Sequence, residues 1–147
     1  MEMILKVVMA VMLLLFAIQD IYKKKLLLWP MILGALIVIV CSYFSGSLTI
    51  INRLGGLSIG LVVILISLLT SGKIGLGDGI LLSITGIGIG LWANFELFAI
   101  ALFLSAIVSI FLLIFRLANR KKSIPFVPFL FISYLFLIVV SIKNKTP

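Results

Sequence analysis

Long apolar runs follow one another along the whole of this chain, and they limit the folds open to it. Hydrophobic residues make up 64% of the 147 residues and charged residues 11%, which leaves too little polar surface to cover a soluble core. No strand-like alternation is present, and an open sheet cannot satisfy its backbone in lipid, so each run is expected to be a helix. The sequence therefore predicts an all-α, polytopic membrane protein with a single integral domain over residues 1–147.

Six of the apolar runs are predicted transmembrane helices. They cover residues 3–19, 26–44, 54–70, 80–92, 97–115 and 124–142. The fourth has 13 residues, which as a helix measure about 20 Å against a hydrocarbon core of about 30 Å. It is expected either to start below the membrane surface or to continue past Asn94. Glycines four residues apart, Gly56 and Gly60 in the third run and Gly86 and Gly90 in the fourth, predict close helix packing.

The basic residues predict which side of the membrane each loop faces. Cytoplasmic loops carry more lysine and arginine than outer loops do, and placing both termini outside puts eight basic residues in the cytoplasm and four outside. The cytoplasmic residues are Lys23, Lys24, Lys25, Lys73, Arg116, Arg120, Lys121 and Lys122, and the outer residues are Lys6, Arg53, Lys143 and Lys145. Because the clusters lack interleaved exposed aromatic residues, they indicate topology and contact with membrane lipid, and no nucleic-acid partner is expected.

Two residue types that carry much of enzyme chemistry are scarce or missing. Histidine is absent and Cys41 is the only cysteine. Without histidine there is no Ser-His or Cys-His nucleophile and no imidazole proton shuttle. A single cysteine gives no disulfide and no zinc-ligand spacing. No metal and no cofactor is therefore expected, and any chemistry must use carboxylates, lysines, hydroxyl groups or the backbone.

The chain has only four acidic residues, Glu2, Asp20, Asp78 and Glu96. In the predicted orientation Glu2 and Glu96 lie on the outer face, where water solvates them. Asp20 ends a helix that runs inward and Asp78 begins a helix that runs outward. Both of these carboxyl groups are therefore expected at the cytoplasmic leaflet.

Each of the two aspartates has a structural interpretation and a functional one. Structurally, Asp20 can pair with Lys23 or Lys24 one turn later, and Asp78 can be the N-cap of the fourth helix. The functional interpretation needs both, since two carboxyl groups a few ångströms apart share one proton. Such a pair can hydrolyse a peptide without histidine or metal: the ionised member takes a proton from water, and the protonated member hydrogen-bonds the scissile carbonyl.

Glycines surround Asp78. Gly75 and Gly77 lack a Cβ, so the chain before the acid can adopt backbone dihedrals closed to other residues, and a substrate backbone can come close. Gly79, directly after the acid, is expected to loosen the start of the helix. The alternative is an ordinary flexible turn with no particular partner.

The order of these features resembles that of a known family. Gly75, Gly77 and Asp78 form a GxGD tetrapeptide at a predicted helix start, Asp20 ends the first helix before a basic loop, and residues 123–130, SIPFVPFL, look like the segment before the family's last helix. The chain is thus similar to the type IV prepilin peptidases and the archaeal preflagellin peptidases. The resemblance implies a six-helix intramembrane aspartic peptidase of the GxGD type, with Asp20 and Asp78 as the catalytic pair.

The resemblance also implies a substrate and a place of action. A prepilin-like or preflagellin-like precursor would lose its short basic leader at the cytoplasmic face of the cell membrane, after a glycine that precedes its apolar helix. Pro125 is expected to open the last helix, with Pro128 within its first turn. The chain departs from the family at Ile80, where a lysine is frequent. It has no counterpart of the cysteine-bearing domain of larger members, so cleavage without methylation is expected.

Two other classes of protein stay open. In a small transporter or channel subunit, Asp20 and Asp78 would bind a cation or carry protons. In a non-catalytic assembly component of a secretion system, the same acids would have no reaction to perform.

Overall fold

The computed structural model describes residues 2–23, 27–46, 48–70, 75–115 and 125–143. These residues form six helices and no strand: α1 (Glu2–Lys23), α2 (Leu28–Ser45), α3 (Ile50–Leu69), α4 (Leu76–Ile89), α5 (Leu91–Ile114) and α6 (Val127–Lys143). The all-α prediction is confirmed. Several basic residues that the sequence assigns to one side of the membrane lie outside the described residues: Lys24, Lys25, Lys73, Arg116, Arg120, Lys121, Lys122 and Lys145. Residues 123 and 124, which open the SIPFVPFL segment, lie outside them too.

Four of the described helices, α1, α2, α3 and α5, are long and apolar enough to cross a membrane. They correspond to the first, second, third and fifth predicted spans. Large hydrophobic side chains such as Leu65 and Ile110 cover their outer faces, as lipid contact requires. The other two, α4 and α6, are apolar but shorter. With 14 and 17 residues they measure about 21 and 26 Å, less than the hydrocarbon core of about 30 Å.

The short helix α4 lies in the middle of the bundle. It packs against α1, α2, α3 and α5, and half of its residues are buried: Gly79, Leu81, Leu82, Ile84, Thr85, Gly86 and Gly88. A helix surrounded by other helices has its backbone shielded from lipid by protein, so it does not have to match the thickness of the bilayer. The last helix, α6, packs against α1 and α5.

Glycines bring α3 and α4 into backbone contact. A methyl group on Gly56 would collide with the backbone of Gly86, and one on Gly60 would collide with Ser83. The close packing predicted from small residues is confirmed for these positions. Gly90 has a different role, because its φ of 84° and ψ of 179° end α4 in a conformation that L side chains rarely adopt.

The boundary between α4 and α5 differs from the prediction. α4 ends at Ile89 and α5 begins at Leu91, so the fourth helix does not continue past Asn94 and the predicted bounds of 80–92 and 97–115 are wrong. The apolar pattern runs through this point without a break. The chain turns because Gly90 permits it and because Asn52 on α3 accepts the Leu91 N–H through Oδ1 at 2.9 Å.

A buried polar network holds this corner of the bundle together. The Asn94 side chain, with no exposed surface, donates through Nδ2 to the carbonyl oxygens of Gly56 at 3.0 Å and Leu82 at 2.9 Å. The Thr85 hydroxyl donates to Asn94 Oδ1 at 2.7 Å. Each polar atom of the Asn94 side chain therefore has a partner, as a buried amide requires, and three helices are joined through one residue.

Candidate active site

Asp20 lies in the last turn of α1 and is bound by the start of α6. Its side chain is 8% exposed. The backbone N–H of Val127, the first residue of α6, donates to Asp20 Oδ2 at 3.1 Å. The backbone N–H of Phe126 is directed at the same carboxyl group. Amides at the start of a helix have no partner within it, so a carboxylate is a suitable acceptor for them.

The proline segment shapes the end of α6 that meets Asp20. The helix begins at Val127, two residues after Pro125, so Pro125 does not open it as predicted. Pro128 is the second residue and lies in the first turn, as expected, where its missing N–H leaves no helical bond unmade. The Phe126 carbonyl accepts the N–H groups of Phe129 at 3.0 Å and Leu130 at 3.3 Å, which closes the turn and leaves the amides of residues 126 and 127 directed at Asp20.

The structural alternative for Asp20, an ion pair, is not found with Lys23. Among the described residues an ion pair joins Lys6 to Glu2 at 3.2 Å, and none joins Lys23 to Asp20. Lys24, the other lysine considered for this pair, lies outside the described residues. The carboxylate of Asp20 therefore has backbone amides as its described partners.

Asp78 is the third residue of α4. The N-cap of this helix is Gly75, with no side-chain cap bond, so the alternative in which Asp78 caps the helix is wrong. The Asp78 N–H instead donates to the Gly75 carbonyl at 3.1 Å. An acidic side chain within the first turn is still favoured by the partial positive charge at a helix start.

The need for glycine at position 75 is steric. The Gly75 backbone has φ −62° and ψ 119°, which any residue adopts, so the expectation of dihedrals closed to other residues is wrong here. A methyl group on Gly75 would lie 2.7 Å from Asp78 Oδ2. The first glycine of the GxGD string therefore leaves room for the carboxyl group of its own aspartate.

The other two glycines of the string have different surroundings. Gly77 is the second residue of α4, partly exposed, and does not have a positive φ. Gly79 is buried against α3, since a methyl group there would lie 2.6 Å from Ile64 Cγ1 and 2.9 Å from the Ile64 nitrogen. Gly79, the residue directly after Asp78, thus packs α4 against α3.

The fold brings the two aspartates together. Their carboxyl groups lie within electrostatic reach of each other, at the end of the bundle where α1 finishes and α4 and α6 begin. Glu2 and Glu96, both exposed, belong to the start of α1 and the first turns of α5. Of the four acids, Asp20 and Asp78 are therefore the two that lie at this end of the bundle. Within the described residues, no group of three or more histidine, cysteine or acidic side chains forms a metal-binding cluster.

Two features beside the pair are not apparent from the sequence. The Val127 amide is one, and the proline pair in SIPFVPFL is the signal that marks it. The other is Gln19, whose Nε2 is buried without a hydrogen-bond partner in the part of the chain that the structure describes. Gln19 lines an otherwise apolar cavity of about 440 Å³ between α1 and α2.

The fold and the site define an all-helical protein with four helices able to cross a membrane and with two aspartates within electrostatic reach of each other at one end of its bundle. No protein-family model, no curated protein and no solved structure matches the chain.

Proposed function

We propose that the protein is an intramembrane aspartic endopeptidase that removes the short basic leader from prepilin-like or preflagellin-like precursors. The observation that carries the proposal is the meeting of Asp20 and Asp78. The carboxyl groups of these residues, one on α1 and one on α4, come within electrostatic reach of each other. The chain has only four acidic residues, and the other two, Glu2 and Glu96, lie elsewhere. A carboxyl pair can activate water for peptide hydrolysis with neither histidine nor metal, and this chain has no histidine.

The surroundings of the pair support a reaction with a peptide. Gly75 keeps space beside the Asp78 carboxyl group, and Gly77 adds no side chain to the first turn of α4. In the proposed site a substrate backbone approaches over these glycines, with its scissile carbonyl directed at the pair. The GLGD string and the SIPFVPFL segment, which carry the resemblance to prepilin peptidases, are the two segments that flank the acids.

The proposed location of the reaction is the cytoplasmic face of the cell membrane. We place both termini outside and let all six helices cross or enter the bilayer, with α4 and α6 shielded by the longer helices. The 22 residues of α1 measure about 33 Å, which exceeds the hydrocarbon core of about 30 Å. Its last turn, with Asp20, therefore extends to the interface, where water is available for hydrolysis.

The test is cleavage of a co-expressed precursor that has a basic leader, a glycine and an apolar helix. We expect Asp20→Asn and Asp78→Asn each to abolish the shortened product, because each removes one member of the pair. Glu96→Gln is the matched control, since it neutralises an exposed acid of α5 away from the site and should leave cleavage intact. All three variants should accumulate in the membrane at similar levels.

Normal cleavage by either aspartate variant would contradict the proposal. A wild-type protein that cleaves no precursor but conducts protons or cations in proteoliposomes, with flux lost in both aspartate variants, would contradict it as well. That result would assign the carboxyl pair to transport.

A further inference from the structure

The two aspartates of the pair have unequal hydrogen-bond partners. Asp20 Oδ2 accepts the Val127 N–H at 3.1 Å, and the Phe126 N–H is directed at the same carboxyl group. No described residue donates a hydrogen bond to the carboxyl group of Asp78, whose helix start has no side-chain cap bond. Both carboxyl groups lie near the amino end of a helix, Asp20 near the start of α6 and Asp78 in the first turn of α4. The two groups therefore differ in their direct N–H donors, which Asp20 has and Asp78 lacks among the described residues.

Direct donors decide which of two neighbouring carboxyl groups keeps the negative charge. A hydrogen bond from an N–H group to a carboxylate is stronger than one to a neutral acceptor, and it is also stronger than the attraction of a carboxylate to a helix dipole alone. The charge of the shared-proton pair is therefore most stable on the member with the donors, and the proton resides on the other.

The donors are held in place by the packing of α6 against α1. The Tyr134 hydroxyl donates to the Lys6 carbonyl at 3.2 Å, and Lys6 Nζ donates to the Ser141 hydroxyl at 3.4 Å. The side chain of Val127 is itself fully buried. The amino end of α6 is thus fixed relative to α1, and the Val127 N–H cannot leave Asp20 without disturbing that packing.

The other groups around Asp20 do not move the negative charge of the pair from Asp20 to Asp78. Of the described residues, Asp78 on α4 is the ionisable group within electrostatic reach of Asp20. The end of α6 that faces Asp20 presents backbone amides, and the first turns of α2 contain no ionisable residue. On α1 itself, Lys23 is exposed and forms no ion pair with Asp20.

We infer that Asp20 is the ionised member of the pair and Asp78 the protonated member, and that Val127 is the positioning residue that sets this order through its backbone N–H. The inference rests on the proposed peptidase function for the roles that follow. Asp20 is then the base that activates water, and Asp78 is the acid that polarises the scissile carbonyl.

The proton steps balance with these roles. Water adds to the scissile carbonyl carbon as its proton moves to Asp20, and the Asp78 proton moves to the carbonyl oxygen, which gives a geminal diol. The C–N bond then breaks as Asp20 returns its proton to the leaving nitrogen. One diol hydroxyl gives its proton to Asp78 as the new carboxylic acid forms, so both aspartates end the cycle in the state in which they began.

The first experiment follows carboxyl protonation by infrared titration, which does not depend on activity. Spectra of Asp78→Asn report on Asp20, and spectra of Asp20→Asn report on Asp78; subtracting the spectrum of the double variant removes the contribution of the other carboxyl groups. We expect the carboxyl group of Asp20 to ionise at lower pH than that of Asp78. Equal titration or the reverse order would overturn the inference.

The second experiment removes the donor. Val127→Pro deletes the N–H at the first residue of α6, a position that accepts proline, whereas Val127→Ala keeps the N–H and shortens the side chain. In the pH profile of leader cleavage, we expect Val127→Pro to shift the midpoint of the ascending limb upward by about one unit, a rate loss of about tenfold below that midpoint. Val127→Ala should keep the wild-type midpoint. An ascending limb that is the same in both variants would overturn the role of Val127.

The two proposals fail in different ways. A protein that titrates in the expected order but cleaves no precursor contradicts the peptidase and leaves the order of ionisation standing. A protein that cleaves its precursor but titrates in the reverse order contradicts the assignment of base and acid alone. Should Val127→Pro not fold, the titrations of the two aspartate variants still decide the order.

Discussion

Val127 and Asp20 lie 107 residues apart in the chain and are joined by a hydrogen bond of 3.1 Å from the Val127 N–H to Asp20 Oδ2. This bond connects the first residue of α6 with the last turn of α1. It gives the segment around Pro125 and Pro128 a role beyond starting a helix, because the amides that this segment leaves unpaired meet the carboxylate. It also gives Asp20 a backbone donor, whereas no described residue donates to the carboxyl group of Asp78.

Gly75→Ala tests whether the first glycine of the GLGD string makes room for Asp78. A methyl group would lie 2.7 Å from Asp78 Oδ2, so the carboxyl group must move. Under the proposed function we expect cleavage to fall by about a hundredfold, because displacing a catalytic group by about an ångström has an effect of that size. Stability should change little, since φ −62° and ψ 119° suit alanine. Cleavage rates and thermal unfolding in one detergent check both expectations.

The control for that change is Leu76→Ala, at the exposed first residue of α4. It shortens a side chain next to Gly75 without entering the space of the carboxyl group, and cleavage should stay close to the wild-type rate. A stable Gly75→Ala protein that is as active as this control would show that the space is not needed.

Gly86→Ala tests the contact between α3 and α4. The added methyl group would meet the backbone of Gly56, which cannot rotate away as a side chain can. We expect the free energy of unfolding to fall by about 3 kcal/mol, at the upper end for overpacking, measured by thermal or denaturant unfolding in detergent. Ser58→Ala on the exposed face of α3 is the control, and an equal, small effect of both changes would argue against tight helix contact.

Asn94→Leu tests the buried network at the corner between α4 and α5. Leucine branches at Cγ as asparagine does but removes the donor to the Gly56 and Leu82 carbonyls and the acceptor of the Thr85 hydroxyl. Buried groups left without partners should lower the free energy of unfolding by about 3 kcal/mol. Because Thr85 and Asn94 interact directly, we expect Thr85→Val to cost less in the Asn94→Leu background than in the wild type. Strict additivity would contradict a direct coupling.

Site-directed labelling tests the proposed orientation. Replacing Cys41, the only cysteine, by serine gives a background for single cysteines at two exposed positions, Lys23 at the end of α1 and Thr49 before α3. A membrane-impermeant thiol reagent applied to intact cells should label Thr49→Cys and spare Lys23→Cys. Both should react after the membrane is permeabilised. Labelling of Lys23→Cys in intact cells would contradict a cytoplasmic active site.

Several parts of the fold follow from local pattern. Continuous apolar runs predict helices wherever they occur, so the existence of α1, α2, α3 and α5 needed no tertiary information. The spacing of Gly56 and Gly60 likewise predicts a close helix contact. The break at Gly90 did not follow, because the apolar pattern continues through it and the turn depends on Asn52, a residue of α3. Asn52 and its hydrogen-bond partner Leu91 are 39 positions apart in the chain, so the local sequence around Gly90 does not include the residue that stabilises the turn.

The sequence alone determined that this protein consists of apolar helices. It also determined that Asp20 ends one helix and Asp78 begins another, so that both are expected on the same side of the membrane. Both conclusions follow from short-range pattern and from the parity of helices that cross a bilayer. Only the tertiary structure decided that Gly75 serves by its small volume, that Gly79 packs against Ile64, and that Val127 binds Asp20. The contacts of Gly79 and Val127 join segments distant in the chain and depend on how the helices pack. The space that Gly75 leaves depends on where the first turn of α4 places the Asp78 carboxyl group.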